Sequence, residues 1–165
     1  LVINVNQVRN YILPSSSRMF HDKGAAQVDA VAKDEKRAYT LLVASTPAGD
    51  FLPFQQVWGG QSIRSVPQRT APGMDEAQAC GMHFAFAQSS TSPRSHFSTL
   101  KTMKEWITEI LQPYVRQVIE EEGLDDDQKC ILYIDIYPVH AGEPFRTYMF
   151  DKHPNVILIF IPGNC

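Results

Sequence analysis

Apolar residues along the chain fall into five runs that predict β-strands: residues 1–5, 37–45, 51–58, 130–135 and 155–161. The first run ends at Asn6 and Gln7, where the apolar pattern stops. Between the second and third runs lie five residues that include proline, glycine and aspartate, and this composition predicts a hairpin turn. The last run is continuously apolar, as expected for a parallel strand that is covered on both faces.

A longer segment, residues 98–122, has a different period. Its apolar residues recur at spacings of three and one, which predicts one long amphipathic helix. We expect Ser98 or Thr99 to cap the start of this helix and Gly123 to end it. Pro113 lies inside the segment and removes one backbone hydrogen bond, so we expect a kink in the turn before it.

The remaining segments are less regular. Pro144 is typical of a first helical position and predicts a short helix that reaches about Phe150. Residues 59–80 are rich in glycine, proline, glutamine and serine, and they predict an irregular insertion. Pro14 and the three serines at residues 15–17 predict another loop.

The order of these elements predicts the fold class. A strand, a hairpin, a long helix, a strand, a short helix and a strand imply an α/β sheet with an antiparallel part and a parallel part. This order matches the ribonuclease-H-like fold, a mixed five-stranded sheet with helices packed on it. With the predicted strands numbered along the chain, we expect the strand order 3-2-1-4-5. A length of 165 residues predicts a single domain that spans residues 1–165.

Composition narrows the classes of protein further. Apolar residues make up 44% of the chain and charged residues 20%, which allows a hydrophobic core and argues against global disorder. No apolar run approaches the ~20 residues that span a bilayer, and the first residues do not resemble a signal peptide. The three cysteines lie far apart without metal-ligand spacing, which favours reduced thiols in an intracellular protein.

Charge is distributed unevenly along the chain. The net charge of −3 argues against a strongly basic nucleic-acid-binding module. Residues 1–104 nevertheless carry eleven Lys or Arg against seven Asp or Glu, whereas residues 105–165 carry four against eleven. The best basic cluster lies around the start of the predicted long helix and comprises Arg94, His96, Lys101 and Lys104. Phosphate contact, aided by the helix N-terminus, and ordinary solubilising charge explain this cluster equally well.

One carboxylate, Asp135, directly follows a strongly apolar predicted strand. The carboxyl ends of parallel strands leave a crevice where ligands and catalytic groups gather, so Asp135 is a candidate for catalysis or metal binding. An aspartate at a strand end also commonly caps the next turn, here residues 136–139. Five residues later, His140 is a candidate for orienting a water molecule or a phosphate, and the alternative is a surface or capping histidine.

Six segments of the chain form a collinear set: LVINVNQ at residues 1–7, KDEKRAYT at 33–40, GDFLPFQ at 49–55, SHFS at 95–98, LYID at 132–135 and FIPGNC at 160–165. Together they resemble the catalytic domain of the pogo/Tigger-like DDE transposases, also called DDE superfamily endonucleases, particularly the forms found in fungal genomes. The resemblance covers essentially the whole chain. It implies phosphodiester hydrolysis and strand transfer on DNA, in the nucleus.

The family's chemistry, as the resemblance implies it, uses two divalent metal ions held by three acids. Two Mg²⁺ or Mn²⁺ ions stabilise both the attacking and the leaving oxygen, which requires clustered carboxylates. In the family the first acid ends the first strand, the second ends the fourth, and the third lies on a helix after the last strand. Asp135 matches the second acid and would be a metal ligand, Asn6 occupies the first position, and the third would lie beyond Cys165.

These departures change the expected function. Asn6 offers a neutral amide oxygen instead of the negative charge that bridges hard cations. Within residues 1–165 we recognise neither the third-acid helix nor the family's N-terminal helix-turn-helix DNA-binding region. The expected function is therefore that of a transposase-derived domain that binds DNA or another nucleic acid with little cleavage. A metal-dependent nuclease centred on Asp135, which would use Mg²⁺ or Mn²⁺, and a non-enzymatic interaction remnant stay open as alternatives.

Three explanations of these departures stay open: a decayed or domesticated transposase, an Asp-to-Asn substitution made for structural work, and a fragment of a longer chain. Leu1 in place of an initiator methionine favours a fragment or a processed product. Trp58 is expected in the core rather than as a base-stacking platform, and Cys80 and Cys130 are expected to be buried thiols.

Overall fold

The computed structural model describes residues 1–12, 23–24 and 37–163. The predicted loop at Pro14 and residues 15–17 lies outside the described residues, as do residues 33–36 and 164–165 of the transposase-like segments. The described strands are β1 (Val2–Tyr11), β2 (Ala38–Ser45), β3 (Gln55–Trp58), β4 (His83–Phe86), β5 (Cys130–Asp135) and β6 (Val156–Ile161). The described helices are α1 (Met74–Ala79), α2 (Leu100–Trp106), α3 (Gln112–Glu122), α4 (Pro138–Ala141) and α5 (Glu143–Lys152).

The strands form one mixed sheet in the order β4-β3-β2-β1-β5-β6. β2 is antiparallel to both β1 and β3, whereas β3 and β4, β1 and β5, and β5 and β6 pair in parallel. The predicted α/β class with an antiparallel and a parallel part is confirmed. The predicted five-stranded sheet is wrong, because β4 adds a sixth strand beside β3. Its four residues are too few to show a period, and its pairing with β3 joins segments far apart in sequence.

The first strand is longer than the apolar pattern predicts. Its predicted end at Asn6 and Gln7 is wrong, because β2 pairs with β1 as far as Tyr11. β5 pairs with β1 only as far as Asn4. Asn6 therefore lies inside a strand, just past the last residue of β1 that pairs with β5.

The predicted hairpin is present between β2 and β3. In its turn the Thr46 amide donates to the Asp50 carbonyl at 3.0 Å, and the Gly49 amide donates to the Thr46 carbonyl at 3.1 Å. The Thr46 hydroxyl accepts from the Asp50 amide at 3.2 Å. Gly49 has a φ of 98°, a conformation that other residues rarely adopt. Local turn chemistry thus sets the register of this pair of strands.

The predicted long helix is present as α2 and α3, joined by a π-helical turn. Thr99 caps its start: the Thr99 hydroxyl accepts from the Thr102 amide, and the Thr102 hydroxyl accepts from the Thr99 amide. Gly123, with a φ of 59°, ends it. Both ends of the long helix are therefore set by residues that the sequence marks as caps.

The irregularity expected before Pro113 takes the form of the π-helical turn Ile107–Leu111. Proline has no amide hydrogen, and its ring collides with the carbonyl of the residue four positions earlier. At this turn the Gln112 amide instead donates to the Ile107 carbonyl, one residue further back than in an α-helix. The wider turn keeps Ile107 and Leu111 fully buried while it accommodates the proline.

One face of the sheet carries the core. Alternate residues of the strands, the apolar side of the long helix, and α5 together form a single cluster of buried side chains, including Ile3, Leu42, Trp106, Leu132 and Phe145. On the other face, the side chains of Ile157 and Ile159 are 46% and 36% exposed. The prediction that the last strand is covered on both faces is therefore wrong for the described part of the chain.

Three segments have more structure than their composition suggests. The predicted irregular insertion at residues 59–80 contains a 3₁₀ turn, Ile63–Ser65, and helix α1, whose Met74 is buried. The predicted short helix after Pro144 extends to Lys152, and the turn predicted after β5 contains helix α4. Met74 is the buried residue of α1, and His140 is the buried residue of α4.

We expect Gly59→Ala to lower the free energy of unfolding by about 1–3 kcal/mol, because overpacking against backbone cannot be relieved by a side-chain rotation. A Cβ at Gly59 would overlap the carbonyl oxygen of Arg94. Gly163→Ala is the matched control, since no atom lies within 4 Å of the added Cβ there. Urea denaturation of both variants tests the expectation, and equal midpoints would show that residues 59 and 94 do not pack tightly in solution.

Candidate functional site

Asp135 is the last residue of β5 and its side chain is 46% exposed. The parallel pairing of β1 with β5 matches Asn4 with Tyr133, so the same register carried two residues further puts Asn6 level with Asp135. Residues matched across parallel strands share a face of the sheet, and neighbouring strands are ~4.8 Å apart. The paired residues end at Asn4 and Tyr133, so the level position of Asn6 and Asp135 extends this register by two residues.

His140 is held directly against Asp135. Its Nδ1 lies 2.8 Å from the Asp135 carboxylate oxygen Oδ1 and 3.3 Å from the Asp135 carbonyl oxygen. The imidazole is only 1% exposed, with the Tyr137 and Phe145 rings 5.3 and 6.0 Å from its centre. His140 is thus a buried partner of Asp135 and not a surface histidine. Pro138 at the start of α4 is the sequence signal that marks this helix.

Gln7 completes the group, and the sequence reasoning did not identify it as a site residue. Its amide nitrogen Nε2 lies 3.0 Å from Nε2 of His140. Because a carboxylate only accepts hydrogen bonds, Nδ1 of His140 carries the proton that Asp135 accepts, and Nε2 accepts from Gln7. Met103 places its sulfur 3.3 Å from the same Nε2. Extending the inward alternation of Ile3 to Gln7 would have found this residue.

The pKa of His140 is lowered, chiefly because burial disfavours the charged imidazolium, although the Asp135 carboxylate opposes this effect. The neutral ring fits its surroundings, since a proton on Nε2 would face the amide hydrogens of Gln7. The neutral imidazole of His140 therefore orients the Asp135 carboxylate. One of the two carboxylate oxygens, Oδ1, already accepts a hydrogen bond from this ring.

Stability should fall as the pH drops below about 6.5, the ordinary pKa of histidine. The unfolded chain takes up a proton on His140 at that pH, whereas the folded state resists it, so acid favours unfolding. We expect His140→Gln to flatten this pH dependence in thermal melts between pH 5 and pH 8. His153→Gln is the comparison: the pKa of His153 is also lowered, by burial and by Arg116, but this side chain is less buried, so we expect a smaller flattening. An unchanged slope in His140→Gln would contradict the assignment.

The donor atoms around Asp135 do not fit a two-metal centre. The Asn6 side-chain oxygen accepts a hydrogen bond from the Gln7 amide at 2.7 Å, so it is turned toward its own backbone. In the described ranges, no group of three His, Cys, Asp or Glu side chains is placed to hold a metal ion. A pair of bridged divalent ions needs several carboxylates, and Asp135 is the one carboxylate in the group of Asp135, His140 and Gln7.

The four basic residues of the predicted cluster lie in two places. Arg94 and His96 line a cavity beside Trp58, whereas Lys101 and Lys104 project from α2. The His96 side chain is 7% exposed, and burial followed by the nearby Arg9 charge lowers its pKa. His96 is thus a buried neutral ring and adds no positive charge to a surface near neutral pH.

The two lysines of α2 already have partners. The Lys101 ammonium lies 3.0 Å from the Glu105 carboxylate and 3.8 Å from the centre of the Phe86 ring. The Lys104 ammonium lies 4.6 Å from the centre of the Tyr148 ring. Both side chains remain near the surface, so phosphate contact and a purely structural role are both compatible with their positions.

Cys130 is buried as predicted, whereas Cys80 and Trp58 are more exposed than predicted. Cys130 is buried, and burial raises the pKa of its thiol to about 11. Cys80 is exposed, so the prediction that it is buried is wrong; it follows the short helix α1, which lies on the surface. Trp58 is half-buried and stacks on Tyr39, with ring centres 4.9 Å apart.

Comparison with known proteins leaves the family open. No family model, curated protein or solved structure matches this chain. None of the helices in the described ranges is long and apolar enough to cross a membrane. The functional argument therefore rests on the residues and on their geometry.

Proposed function

We propose that this chain is a transposase-derived nucleic-acid-binding domain of ribonuclease-H-like fold that cleaves phosphodiesters poorly. The observation that supports the proposal is the parallel pairing of β1 with β5, whose register, extended two residues past its last pair, brings Asn6 level with Asp135. The resemblance to DDE transposases calls for two acids at these neighbouring positions. One of them is present, and the other is replaced by its neutral amide.

Weak cleavage follows from the charges at this edge of the sheet. A bridging pair of Mg²⁺ or Mn²⁺ ions gains most of its binding energy from carboxylates, and an amide oxygen supplies no net charge. Asp135 also shares its Oδ1 with His140, and Asn6 shares its Oδ1 with the Gln7 amide. We therefore expect these residues to bind metal ions weakly. Two-metal catalysis should be weak for the same reason.

Nucleic-acid binding is supported by the positive charge of the amino-terminal two thirds of the chain. Lys101 and Lys104 stand one turn apart on α2, and their ammonium groups are the natural contacts for successive phosphates. Arg94, from the loop before α2, lies apart from these two lysines, at the cavity beside Trp58. A nuclear location follows from this proposal and stays a prediction.

The second candidate is a working nuclease centred on Asp135. Its support is the 2.8 Å contact with His140, which fixes the carboxylate while the side chain stays 46% exposed. In metal-dependent sites, the carboxylates that bind the metal are commonly oriented by hydrogen bonds from neighbouring side chains. The third candidate, a non-enzymatic interaction remnant, requires no chemistry from Asp135.

Fluorescence anisotropy of labelled duplex DNA over a series of salt concentrations tests binding. The double variant Lys101→Ala, Lys104→Ala should bind more weakly, and the slope of log K against log salt should fall by about 0.9 for each phosphate that the variant no longer neutralises. Arg146→Ala removes an exposed charge from α5 and serves as the control. No binding even at low salt would favour the interaction remnant.

A cleavage assay with Mg²⁺ or Mn²⁺ separates the first two candidates. The parent chain should leave plasmid DNA largely intact, and Asp135→Asn should behave like the parent. Robust metal-dependent cleavage that disappears in Asp135→Asn would overturn the proposal in favour of the nuclease.

A further inference from the structure

A cavity of about 760 Å³ opens beside the end of β3. Its walls include Trp58, Gly59, Gly60, Ser65, Arg94 and His96. None of its described lining residues belongs to the group formed by Asp135, His140 and Gln7. Its volume lies within the range of about 300–1,000 Å³ that is usual for small-molecule sites.

The charges of this cavity select an anion. Within the described part of the chain, the guanidinium of Arg94 has no hydrogen bond or ion pair, whereas Arg37, which also lines the cavity, already interacts elsewhere. His96 also lines the cavity; it is only 7% exposed, and its Nδ1 lies 2.9 Å from the Thr40 hydroxyl. Among the described residues, no Asp or Glu lines the cavity. Among the described lining residues, a phosphate group would meet the Arg94 guanidinium and no carboxylate.

The remaining walls fit a flat ring. Trp58 is held in place by its stacking on Tyr39, and the next two residues are glycines, which present no side chain to the cavity. The other lining residues include the apolar side chains of Ile12, Ala38 and Pro93. Inorganic phosphate alone would leave these surfaces and most of the volume unused.

We propose that this cavity binds one nucleotide unit, with its phosphate on Arg94 and its base against Trp58. The proposal does not rest on the proposed function, because a free mononucleotide could bind here whether or not the chain binds a polynucleotide. The shared chemistry is a phosphate attached to an aromatic base, and its source is either a free nucleotide or a single strand.

Tryptophan fluorescence follows the binding. The chain has two tryptophans, and Trp106 is fully buried in the core, so quenching by an added ligand reports on Trp58. Adenosine 5′-monophosphate should quench the emission, and it should bind at least about tenfold more tightly than inorganic phosphate because of base stacking. Equal affinities for the two probes would overturn the base contact.

Arg94→Ala should weaken the binding of adenosine 5′-monophosphate about tenfold, the usual size of a charge-assisted hydrogen bond. Arg146→Ala, which removes an exposed arginine that does not line the cavity, should bind like the parent. Circular dichroism checks that both variants are folded. Unchanged affinity in Arg94→Ala, or no binding by the parent, would overturn the proposal.

A thymidine oligonucleotide distinguishes the two sources. Displacement of the mononucleotide by the oligonucleotide, abolished in Arg94→Ala, assigns the cavity to single strands. Mononucleotide binding without such displacement assigns it to free nucleotides. If Arg94→Ala weakens mononucleotide binding but leaves the duplex affinity unchanged, the cavity is independent of the surface formed by Lys101 and Lys104.

Discussion

Replacing His140 with alanine is expected to lower the free energy of unfolding by about 2–4 kcal/mol, because the change leaves a cavity and unpaired polar groups. The imidazole is 1% exposed and contacts Asp135, Gln7 and the Met103 sulfur. Its removal strands the Gln7 amide inside the protein and opens a void beside Phe145. Urea denaturation measures the loss.

His153→Ala is the matched control for this substitution. His153 also makes one side-chain hydrogen bond, to the Tyr148 hydroxyl at 3.1 Å, but it is less buried. We expect a loss of about 1 kcal/mol or less for His153→Ala, in the range of a single partly exposed hydrogen bond. Losses of similar size in the two variants would contradict the buried position of His140.

Introducing a carboxylate at position 6 has the second large expected effect. Asn6→Asp puts two carboxylates level on neighbouring strands, so the metal-free protein should be slightly less stable than the parent. A dication relieves this repulsion and gains from both charges. With Mn²⁺ at about 100 times Kd the gain is about 2.7 kcal/mol, or roughly 5–10 °C in Tm for a chain of this size. Thermal melts with and without metal measure the shift.

Asn4→Asp is the control that separates metal binding beside Asp135 from a general effect of an added carboxylate on β1. Asn4 is exposed and lies on the same face of β1, but its partner on β5 is Tyr133 and not a carboxylate. We expect Asn4→Asp to show no metal-induced shift beyond that of the parent. A shift in Asn4→Asp as large as in Asn6→Asp would mean that position 6 is not beside Asp135, and the comparison with the transposase pattern would fail there. Because the described residues supply no third acid, we expect turnover to stay low in Asn6→Asp.

The elements that local chemistry specifies were predictable. The cap at Thr99 and the stop at Gly123 lie within one turn of the helix ends, and the hairpin turn needs only its own five residues. β5 matches its predicted bounds because its alternation of buried and half-buried residues repeats over six positions. In these places the information about structure lies in neighbouring residues.

Elements that depend on pairing between distant segments were missed. β4 is only four residues long and exists because β3 offers it a parallel edge. The second half of β1 is polar, and it stays extended because β2 pairs with it as far as Tyr11. No hydrophobic pattern within residues 83–86 or 7–11 favours a strand over other local conformations. Pairing with the neighbouring strand therefore determines that these residues are extended.

The candidate site likewise has one part that the sequence predicts and another that depends on contacts between distant segments. The sequence by itself determined which carboxylate ends β5, because the apolar run before Asp135 marks the strand. Only the tertiary structure decided that His140 is buried against that carboxylate, that Gln7 reaches its other nitrogen, and that Arg94 faces a cavity. These hydrogen bonds span from five to 133 residues in sequence. Local preferences act over a few residues, whereas the position of a side chain in a site is set by the packing of whole strands and helices.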